Sequence, residues 1–403
     1  MRILVISNFY PPHFIGGYEI GCRDIVEALR ARGHDVGVLT STHGVNRPEQ
    51  SGQIYRWLET DLALNINGSA ADLFKILRKE STNRRAFNRV CRAFSPDVLY
   101  VWNATHISIS IIIRAQQMGL GVFYFISDYW LIQWESDAFY SLSRRSGSTP
   151  ARRLALRSLN SFLKASGLMP RDVLDLRHVQ FASRHLKQAA LSANRPVRDA
   201  EVIHWGIDLN RFPFNEVTHN PRRLLYVGQV TLLKGVQTAI EALKLIVERP
   251  GHRSTMLTIA GGPDYDDRMR RLASSLGLEG NVRFTGQVPR EQIPAIYREH
   301  DILLFPSVWD EPFSITLLEA MSCGLAVVGT DTGGSSEILK DGVNALIFPK
   351  EDAEACAGQI ARLIEDPELF NRVRLNARRT VEEGFRLESM VYRIELALKK
   401  QAG

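Results

Sequence analysis

Two carboxylates in the second half of the sequence could hold a large polar ligand. Glu311 lies in the motif Trp-Asp-Glu-Pro-Phe after an apolar run, and Glu319 follows it in an apolar segment. Pro312 suits the entry to a helix, which would place Glu319 about two turns along it. Two carboxylates so placed can accept hydrogen bonds from several hydroxyls of one elongated ligand. The spacing alone is equally compatible with a capped helix that has one acidic residue outside it.

Donors for an anion are expected on both sides of this pair. The loop Gly228–Gly235 follows an apolar run and precedes a helical pattern, so Lys234 and nearby backbone amides could bind a diphosphate. This loop is not a P-loop, because its lysine precedes the glycine and no Ser or Thr follows for magnesium. Further amides are expected where the helix after Glu311 begins, at Phe313, Ser314, Ile315 and Thr316.

A glycine pair follows the first apolar run. Gly16 and Gly17 stand before a helical pattern, where the lack of a side chain lets the backbone approach a ligand. The dinucleotide fingerprint G-x-G-x-x-G is absent from this loop, which argues against a nicotinamide enzyme.

Strand-length apolar runs alternate with helical patterns along the chain. This rhythm predicts an α/β fold of two tandem Rossmann-like, doubly wound domains, with the ligand at the carboxyl ends of the strands and in the cleft between the domains. The expected strands are Arg2–Ser7, Val36–Thr40, Val98–Trp102, Val122–Ser127, Leu224–Val227, Met256–Ala260, Val282–Thr285, Ile302–Phe305, Ala326–Gly329 and Ala345–Phe348.

The length of 403 residues suits two domains. We predict an N-terminal domain over residues 1–200, a C-terminal domain over 201–385, and a last helix over 386–403. The four cysteines lie far apart without C-x-x-C spacing, so neither a disulfide framework nor a cysteine zinc site is expected. Without a membrane-spanning run or a signal peptide, a cytoplasmic setting is expected.

The net charge of +6 favours anionic partners. Six basic and no acidic side chains lie in residues 141–166, whose leucines share one helical face. This segment could contact an anionic membrane peripherally, on its inner face, or grip a phosphorylated acceptor. It could equally be a solvated helix that packs its leucines on the core.

Taken in chain order, these segments resemble glycosyltransferase family 4 of the GT-B type. The resemblance rests on Gly16-Gly17 with Glu19, His204 to Asp208, Gly228 with Lys234-Gly235, Gly261-Gly262-Pro263, the Glu311 and Glu319 pair, and Gly333-Gly334 with Glu337. It implies a retaining transfer of a sugar from a UDP- or GDP-type donor to a hydroxyl of a glycan, glycolipid or small molecule. No metal or other cofactor is implied. The resemblance also implies that residues 1–200 form the acceptor-side domain, that residues 201–385 bind the nucleotide sugar, and that the last helix, residues 386–403, crosses back to the first domain.

The resemblance also implies roles for individual residues. Glu311 would hold hydroxyls of the donor sugar, Glu319 the ribose hydroxyls and Lys234 the diphosphate. Gly17 and the amides near Ser314 would complete the phosphate site, and negative charge growing on the leaving phosphate would be stabilised there.

Three positions depart from the family pattern. Gln229 stands where the family usually has Arg, so one cationic contact to the donor is replaced by a neutral one. Ser127 and Asp128 stand where the family has His-Asp, which makes Asp128 the expected polar group at the reacting centre. Ser314 replaces a common Gly and could narrow the sugar pocket. On the acceptor side the candidates are His106, Ser127 and Tyr129.

Other functions remain open from the residues alone. Asp264 and Asp266 match the Asp-x-Asp pair of metal-dependent glycosyltransferases, although their position at an expected helix start explains them through the helix dipole. A nucleotide-sugar epimerase would share the architecture and the donor. A sugar-nucleotide binding module without catalysis is the third possibility. No motif for nucleic acid is present.

Overall fold

The protein structure, a computed structural model, describes residues 1–62, 70–133, 158, 161, 174–216, 221–262 and 266–402. The chain divides into two compact units. The N-terminal unit comprises residues 1–182, 186–203 and 391–403, and the C-terminal unit comprises 183–185 and 204–390. The domain boundaries expected from the sequence stay a prediction.

The described part of the N-terminal unit forms an eight-stranded sheet in the order β3-β4-β2-β1-β5-β6-β7-β8. Among these strands only the β3–β4 pair is antiparallel. The strands are β1 Arg2–Ser7, β2 Asp35–Ser41, β3 Glu49–Ser51, β4 Ile54–Leu58, β5 Val98–Asn103, β6 Gly121–Ile126, β7 Val179–Phe181 and β8 Glu201–Val202.

Helices accompany this sheet. They are α1 Gly17–Ala31, α2 Ala70–Phe94, α3 Ser110–Gln117, α4 Trp130–Gln133 and α5 Arg184–Ser192. Because helices cover parallel strands, the central strands read as continuous apolar runs, and Ile3–Ile6 of β1 is fully buried.

The last helix of the chain ends within the N-terminal unit. This helix spans Leu387–Ala402, and its part from Val391 onward belongs to that unit. There Glu395 accepts hydrogen bonds from Arg32 Nε at 2.7 Å and His34 Nε2 at 3.0 Å. These contacts fasten the end of the chain to the loop after α1.

The C-terminal unit contains a six-stranded parallel sheet in the order β11-β10-β9-β12-β13-β14. The strands are β9 Arg223–Val227, β10 Met256–Ala260, β11 Val282–Gly286, β12 Ile302–Phe305, β13 Ala326–Gly329 and β14 Leu346–Ile347. The helices are α6 Val236–Val247, α7 Asp266–Ser275, α8 Ile293–Arg298, α9 Ile315–Ser322, α10 Ala353–Glu365 and α11 Pro367–Gly384, and the last helix is therefore α12. This is the doubly wound strand order, with its reversal between β9 and β12.

Local sequence explains where the helices of this unit begin and which face they bury. The side chain of Asp352 caps α10 by accepting from Ala355 N at 2.8 Å. Along α6, apolar side chains recur at helical spacing and pack into the core beside the sheet. These core positions of α6 are Val236, Ala239, Ile240, Leu243 and Ile246.

The expected fold class of two doubly wound α/β domains is confirmed. The expected strands are present, although the run Ala345–Phe348 forms only the short strand β14. Strands β3, β4, β7 and β8 were not expected, because each is short or lies in a mixed polar segment.

The basic segment 141–166 lies outside the described residues, apart from the exposed Ser158 and Ser161. Within the described part of the chain, no helix has the length and apolar character needed to cross a bilayer.

The turn between β9 and α6 requires a glycine. Gly235 has φ of 69°, and a Cβ there would lie 1.8 Å from the carbonyl oxygen of Pro306. We expect Gly235→Ala to destabilise the C-terminal unit by about 2 kcal/mol or more, from backbone strain and the clash together. The thermal unfolding midpoint should fall by about 4 °C or more. Gly358→Ala, inside α10 with open space around it, should keep or raise the midpoint, and an equal loss in both variants would contradict the clash.

Candidate active site

The C-terminal unit brings Lys234 and Glu311 together at the reversal of its strand order. Lys234 ends a 3₁₀ turn (Leu232–Lys234) after β9, and Glu311 lies in the loop after β12. Lys234 Nζ donates to Glu311 Oε1 at 2.6 Å and Oε2 at 2.9 Å. In doubly wound sheets this crevice is where ligands bind. Glu311 therefore lies at the edge of the sheet where ligands bind in this fold class.

Neighbouring groups hold the Glu311 carboxylate in place. Ser307 Oγ donates to Glu311 Oε1 at 2.7 Å, and the Glu311 side chain is only 6% exposed. The backbone is fixed as well, because the carbonyl of Glu311 accepts from Gly334 N at 2.6 Å. On the other side, Lys234 Nζ lies 5.2 Å from the centre of the Trp309 ring, a cation–π contact. Glu311 is therefore a preorganised carboxylate beside the cation of Lys234.

The loop after β9 approaches the loop after β10 so closely that Gly261 has no room for a side chain. A Cβ on Gly261 would lie 1.7 Å from the carbonyl oxygen of Gly228. In the same loop, Tyr226 Oη donates to the carbonyl of Gln229 at 2.6 Å. Burial, followed by the charge of Glu311, raises the pKa of Tyr226, so this phenol stays a donor. The side chain of Gln229 is exposed.

Helix α9 begins at Ile315, three residues later than the helix entry expected at Pro312, so Glu319 lies one turn along it and not two. Ser314 caps it, with its Oγ accepting from Leu317 N at 3.3 Å. The first-turn amides of a helix have no intrahelical acceptor, and α9 presents those of the half-buried Ile315 and Thr316 at this end. The sequence also predicted that Phe313 binds the donor. In the structure its ring is buried and stacks on the His204 ring, with the ring centres 5.6 Å apart.

Glu319 lies one turn into α9 and has two partners that the sequence did not reveal. Tyr297 Oη donates to Glu319 Oε2 at 3.1 Å, and Arg290 forms an ion pair with Oε1. The Glu319 side chain is 3% exposed. Burial and the charge of Glu319 raise the pKa of Tyr297 well above its usual value, so its hydroxyl stays protonated.

The remaining predicted residues belong to the N-terminal unit, where Asp128 follows β6. Asp128 Oδ1 accepts from Trp130 N at 3.0 Å, and Oδ2 accepts from Asn103 Nδ2 at 2.5 Å. The pKa of Asp128 is raised to about 7, chiefly by burial and in smaller part by the charge of Glu19. The hydrogen bond from Trp130 lowers this pKa but does not outweigh the burial. Asp128 is therefore a carboxyl that titrates near neutrality.

Glu19 shapes the glycine loop at the start of α1. Its carboxylate accepts from the backbone N–H of Ile15 at 3.2 Å and of Gly16 at 3.0 Å, and it is fully buried. Gly17 is the first residue of α1, so the two glycines mark the entry to this helix. Burial also raises the pKa of Glu19.

On the predicted acceptor side, His106 is linked to a buried ion pair. His106 Nδ1 lies 2.8 Å from Asp61 Oδ1, and Lys79 Nζ donates to Asp61 Oδ2 at 2.9 Å. Burial acts to raise the pKa of Asp61, but the hydrogen bond from His106 and the charge of Lys79 outweigh it and lower this pKa. Ser127 is buried, and Tyr129 is half-buried before α4.

The structure thus brings together Lys234, Glu311 and the start of α9 in one unit, and Asp128 with Asn103 in the other. Sequence reasoning missed Asn103, Arg290, Tyr297 and Ser307. Only Ser307 carried a signal, because it lies in the same motif as Glu311.

The described side chains form no evident metal site. Among the described side chains no group of three His, Cys, Asp or Glu is placed to hold a metal ion. The candidate Asp264 lies outside the described residues, while Asp266 begins α7.

Two family models match consecutive parts of the chain. The model described as Glycosyltransferase Family 4 matches residues 15–211, and the model described as Glycosyl transferases group 1 matches residues 210–380. Between them they cover both units in the order expected from the sequence motifs.

Relatives match over nearly the whole length. A protein of Methanocaldococcus jannaschii described as an uncharacterized glycosyltransferase is 25% identical over 99% of this chain and 99% of its own. Glycogen synthase of Mycobacterium tuberculosis is 26% identical over 96% of this chain and 91% of that enzyme. Among solved structures, Anabaena HepE in complex with UDP-glucose has a TM-score of 0.67 at 19% identity, over 99% of this chain and 100% of that chain. These matches and the fold identify the chain as a GT-B glycosyltransferase that is similar to family 4.

Proposed function

We propose that this enzyme transfers a sugar, with retention of configuration, from a nucleoside diphosphate sugar of the UDP or GDP type to an acceptor hydroxyl. The acceptor would be a glycan, a glycolipid or a small molecule. The observation that carries the proposal is the Lys234–Glu311 pair beside the start of α9, at the strand-order reversal of the C-terminal unit. The UDP-glucose bound to Anabaena HepE supports this choice of donor class.

The diphosphate would bind to Lys234 and to the first-turn amides of α9. An ammonium group has three donors, and Glu311 uses two of them, so one remains for a phosphate oxygen. As the glycosidic bond breaks, negative charge grows on the leaving phosphate, and fixed donors lower the barrier.

With these donors the chemistry needs no metal ion. Activity unchanged by EDTA would agree with this, and loss restored by a divalent cation would contradict it.

The sugar would bind through its hydroxyls to Glu311. Ser307 and Lys234 occupy three of the about four lone-pair sites of this carboxylate, so one on Oε2 remains, and its position is set before the ligand arrives. The departing phosphate oxygen would accept the proton of the attacking acceptor hydroxyl on the same face of the sugar, which yields retention.

A nucleotide-sugar epimerase or a non-catalytic binding module would use the same donor. Neither alternative is favoured, because the relatives include a glycogen synthase, which is a transferase. Product analysis separates the three, since an epimerase releases an altered nucleotide sugar without an acceptor and a binding module releases nothing.

A panel of UDP- and GDP-sugars tests the proposal by thermal shift, because a ligand that binds the folded state raises the unfolding midpoint. We expect one donor to raise the midpoint and then to be consumed when acceptors are supplied. Absence of stabilisation by every donor, together with absence of transfer, would refute the proposal.

Protonation of Asp128 is expected to appear in the pH dependence of stability. Its folded-state pKa of about 7 lies above the ordinary value near 3.9, so the stability from this group is present at low pH and is lost as pH rises through 7. Asp128→Asn does not titrate. The unfolding midpoint of the variant relative to wild type should therefore rise between pH 5 and pH 8.

The same group should shape the activity profile if it acts as a carboxylate at the reacting centre. We expect kcat/KM of the wild type to decrease below about pH 7, and the low residual activity of Asp128→Asn to lack this acidic limb. Asp24→Asn, a half-buried carboxyl of α1, is the control for both measurements. A constant midpoint difference from pH 5 to 8 would contradict the raised pKa.

A further inference from the structure

Arg290 has no role in the function proposed above, yet it contacts Glu319, one of the two carboxylates singled out in the sequence. It lies between β11 and α8, and its side chain is 13% exposed. Its guanidinium pairs with Glu319 and lies 5.2 Å from the centre of the buried Phe212 ring. Two neighbours on different elements therefore fix the orientation of this guanidinium.

The Glu319 carboxylate is held at both oxygens. Arg290 approaches Oε1, and Tyr297 Oη donates to Oε2 at 3.1 Å. A buried carboxylate is costly without compensation, and here the cation and the phenol together supply it. The raised pKa of Tyr297 keeps the phenol a donor, so this compensation persists at physiological pH.

The number of acceptor sites suggests what this arrangement serves. An ionised carboxylate has about four lone-pair sites. Tyr297 occupies one on Oε2, while Oε1 is paired with the charge of Arg290 and accepts no hydrogen bond within the described residues. Acceptor sites therefore remain on both oxygens, which matches the two hydroxyls of a ribose. A carboxylate whose rotation is blocked can accept both hydroxyls at once without losing further side-chain freedom.

We propose that Arg290 is a positioning residue that, with Tyr297, orients Glu319 to select nucleotides with a ribose over those with a deoxyribose. This inference rests on the proposed function and on the ribose-binding role that the resemblance to family 4 implies for Glu319. Arg290 acts through Glu319 and takes no part in the transfer itself.

Calorimetry with UDP and 2′-deoxy-UDP tests the proposal, or with GDP and 2′-deoxy-GDP if the enzyme prefers guanine. A hydroxyl bonded to a charged acceptor should make the ribonucleotide bind about tenfold tighter or more in the wild type. In Arg290→Leu we expect this preference to fall below about threefold, and Tyr297→Phe, which removes only the hydroxyl, should also reduce it. A purely structural role would weaken both nucleotides equally and leave their ratio unchanged.

Arg298→Leu is the matched control, since it removes the same charge from an exposed position on α8 and should keep the wild-type ratio. If Arg290→Leu does not fold, Arg290→Lys replaces it, and loss of the planar fork should still lower the ratio. An unchanged ratio, or tighter binding of UDP, in the Arg290 variants would overturn the inference. If Glu319→Gln alone loses the preference, the proposed function stands without this role for Arg290. If neither nucleotide binds the wild type, the donor site itself is refuted.

Discussion

Lys234→Ala is expected to lower kcat by two or more orders of magnitude while the fold persists. The ammonium is the one cation that the structure places on Glu311 at the strand-order reversal, within the described residues. Loss of one preorganised contact to developing charge costs about 100- to 1,000-fold in turnover. Because Lys234 is 23% exposed, water can partly replace it around Glu311, and the variant should remain folded.

Steady-state kinetics with the true donor measure this effect, and the thermal midpoint checks the fold. Lys350→Ala is the matched control, because that lysine pairs with Asp310 at an exposed site of the same unit. Exposed pairs contribute little to stability, so the control should keep kcat and midpoint. A kcat for Lys234→Ala within a few-fold of wild type would remove Lys234 from the phosphate site.

Glu311→Gln is expected to reduce kcat by a similar factor. The amide keeps one acceptor oxygen and the shape of the side chain, but its nitrogen would face Lys234 or a sugar hydroxyl as a second donor. The lost negative charge also leaves the half-buried Lys234 without its partner. The contact to the sugar weakens in the transition state, where it matters most.

The effect is measured as kcat and KM separately, with the neighbouring exposed Asp310→Asn as control. The double variant Lys234→Ala/Glu311→Gln gives the sharper result. If the two residues act as a unit, the double variant should lose little more activity than either single variant. If the fold-reduction in kcat of the double variant equals the product of those of the two single variants, the residues contribute independently, contrary to the paired geometry.

Much of the fold could be predicted, because parallel strands are buried on both faces and therefore read as apolar runs. Strands such as β1 and β12 have the predicted bounds. Strand β3 did not show in the sequence, since all three of its residues are exposed and polar. Its position depends on pairing with β4, which is a tertiary property.

The candidate site shows the same division. The Glu311 motif and the loop containing Lys234 could be recognised in the sequence, because the residue types and the turn-forming residues lie within short segments. The contact between them was not visible, since it joins positions 77 residues apart. The pairs Arg290–Glu319 and His106–Asp61 had no local signal for the same reason.

The sequence by itself determined the elements, their α/β alternation and the two carboxylates, since these follow from hydrophobic periodicity and side-chain chemistry within a few residues. Only the tertiary structure decided that β9 and β12 are neighbours, and hence that Lys234 meets Glu311. It also decided which donors orient Glu319 and that Asp128 titrates near neutrality. The physical reason is that burial and charge pairing depend on the folded neighbourhood of a group.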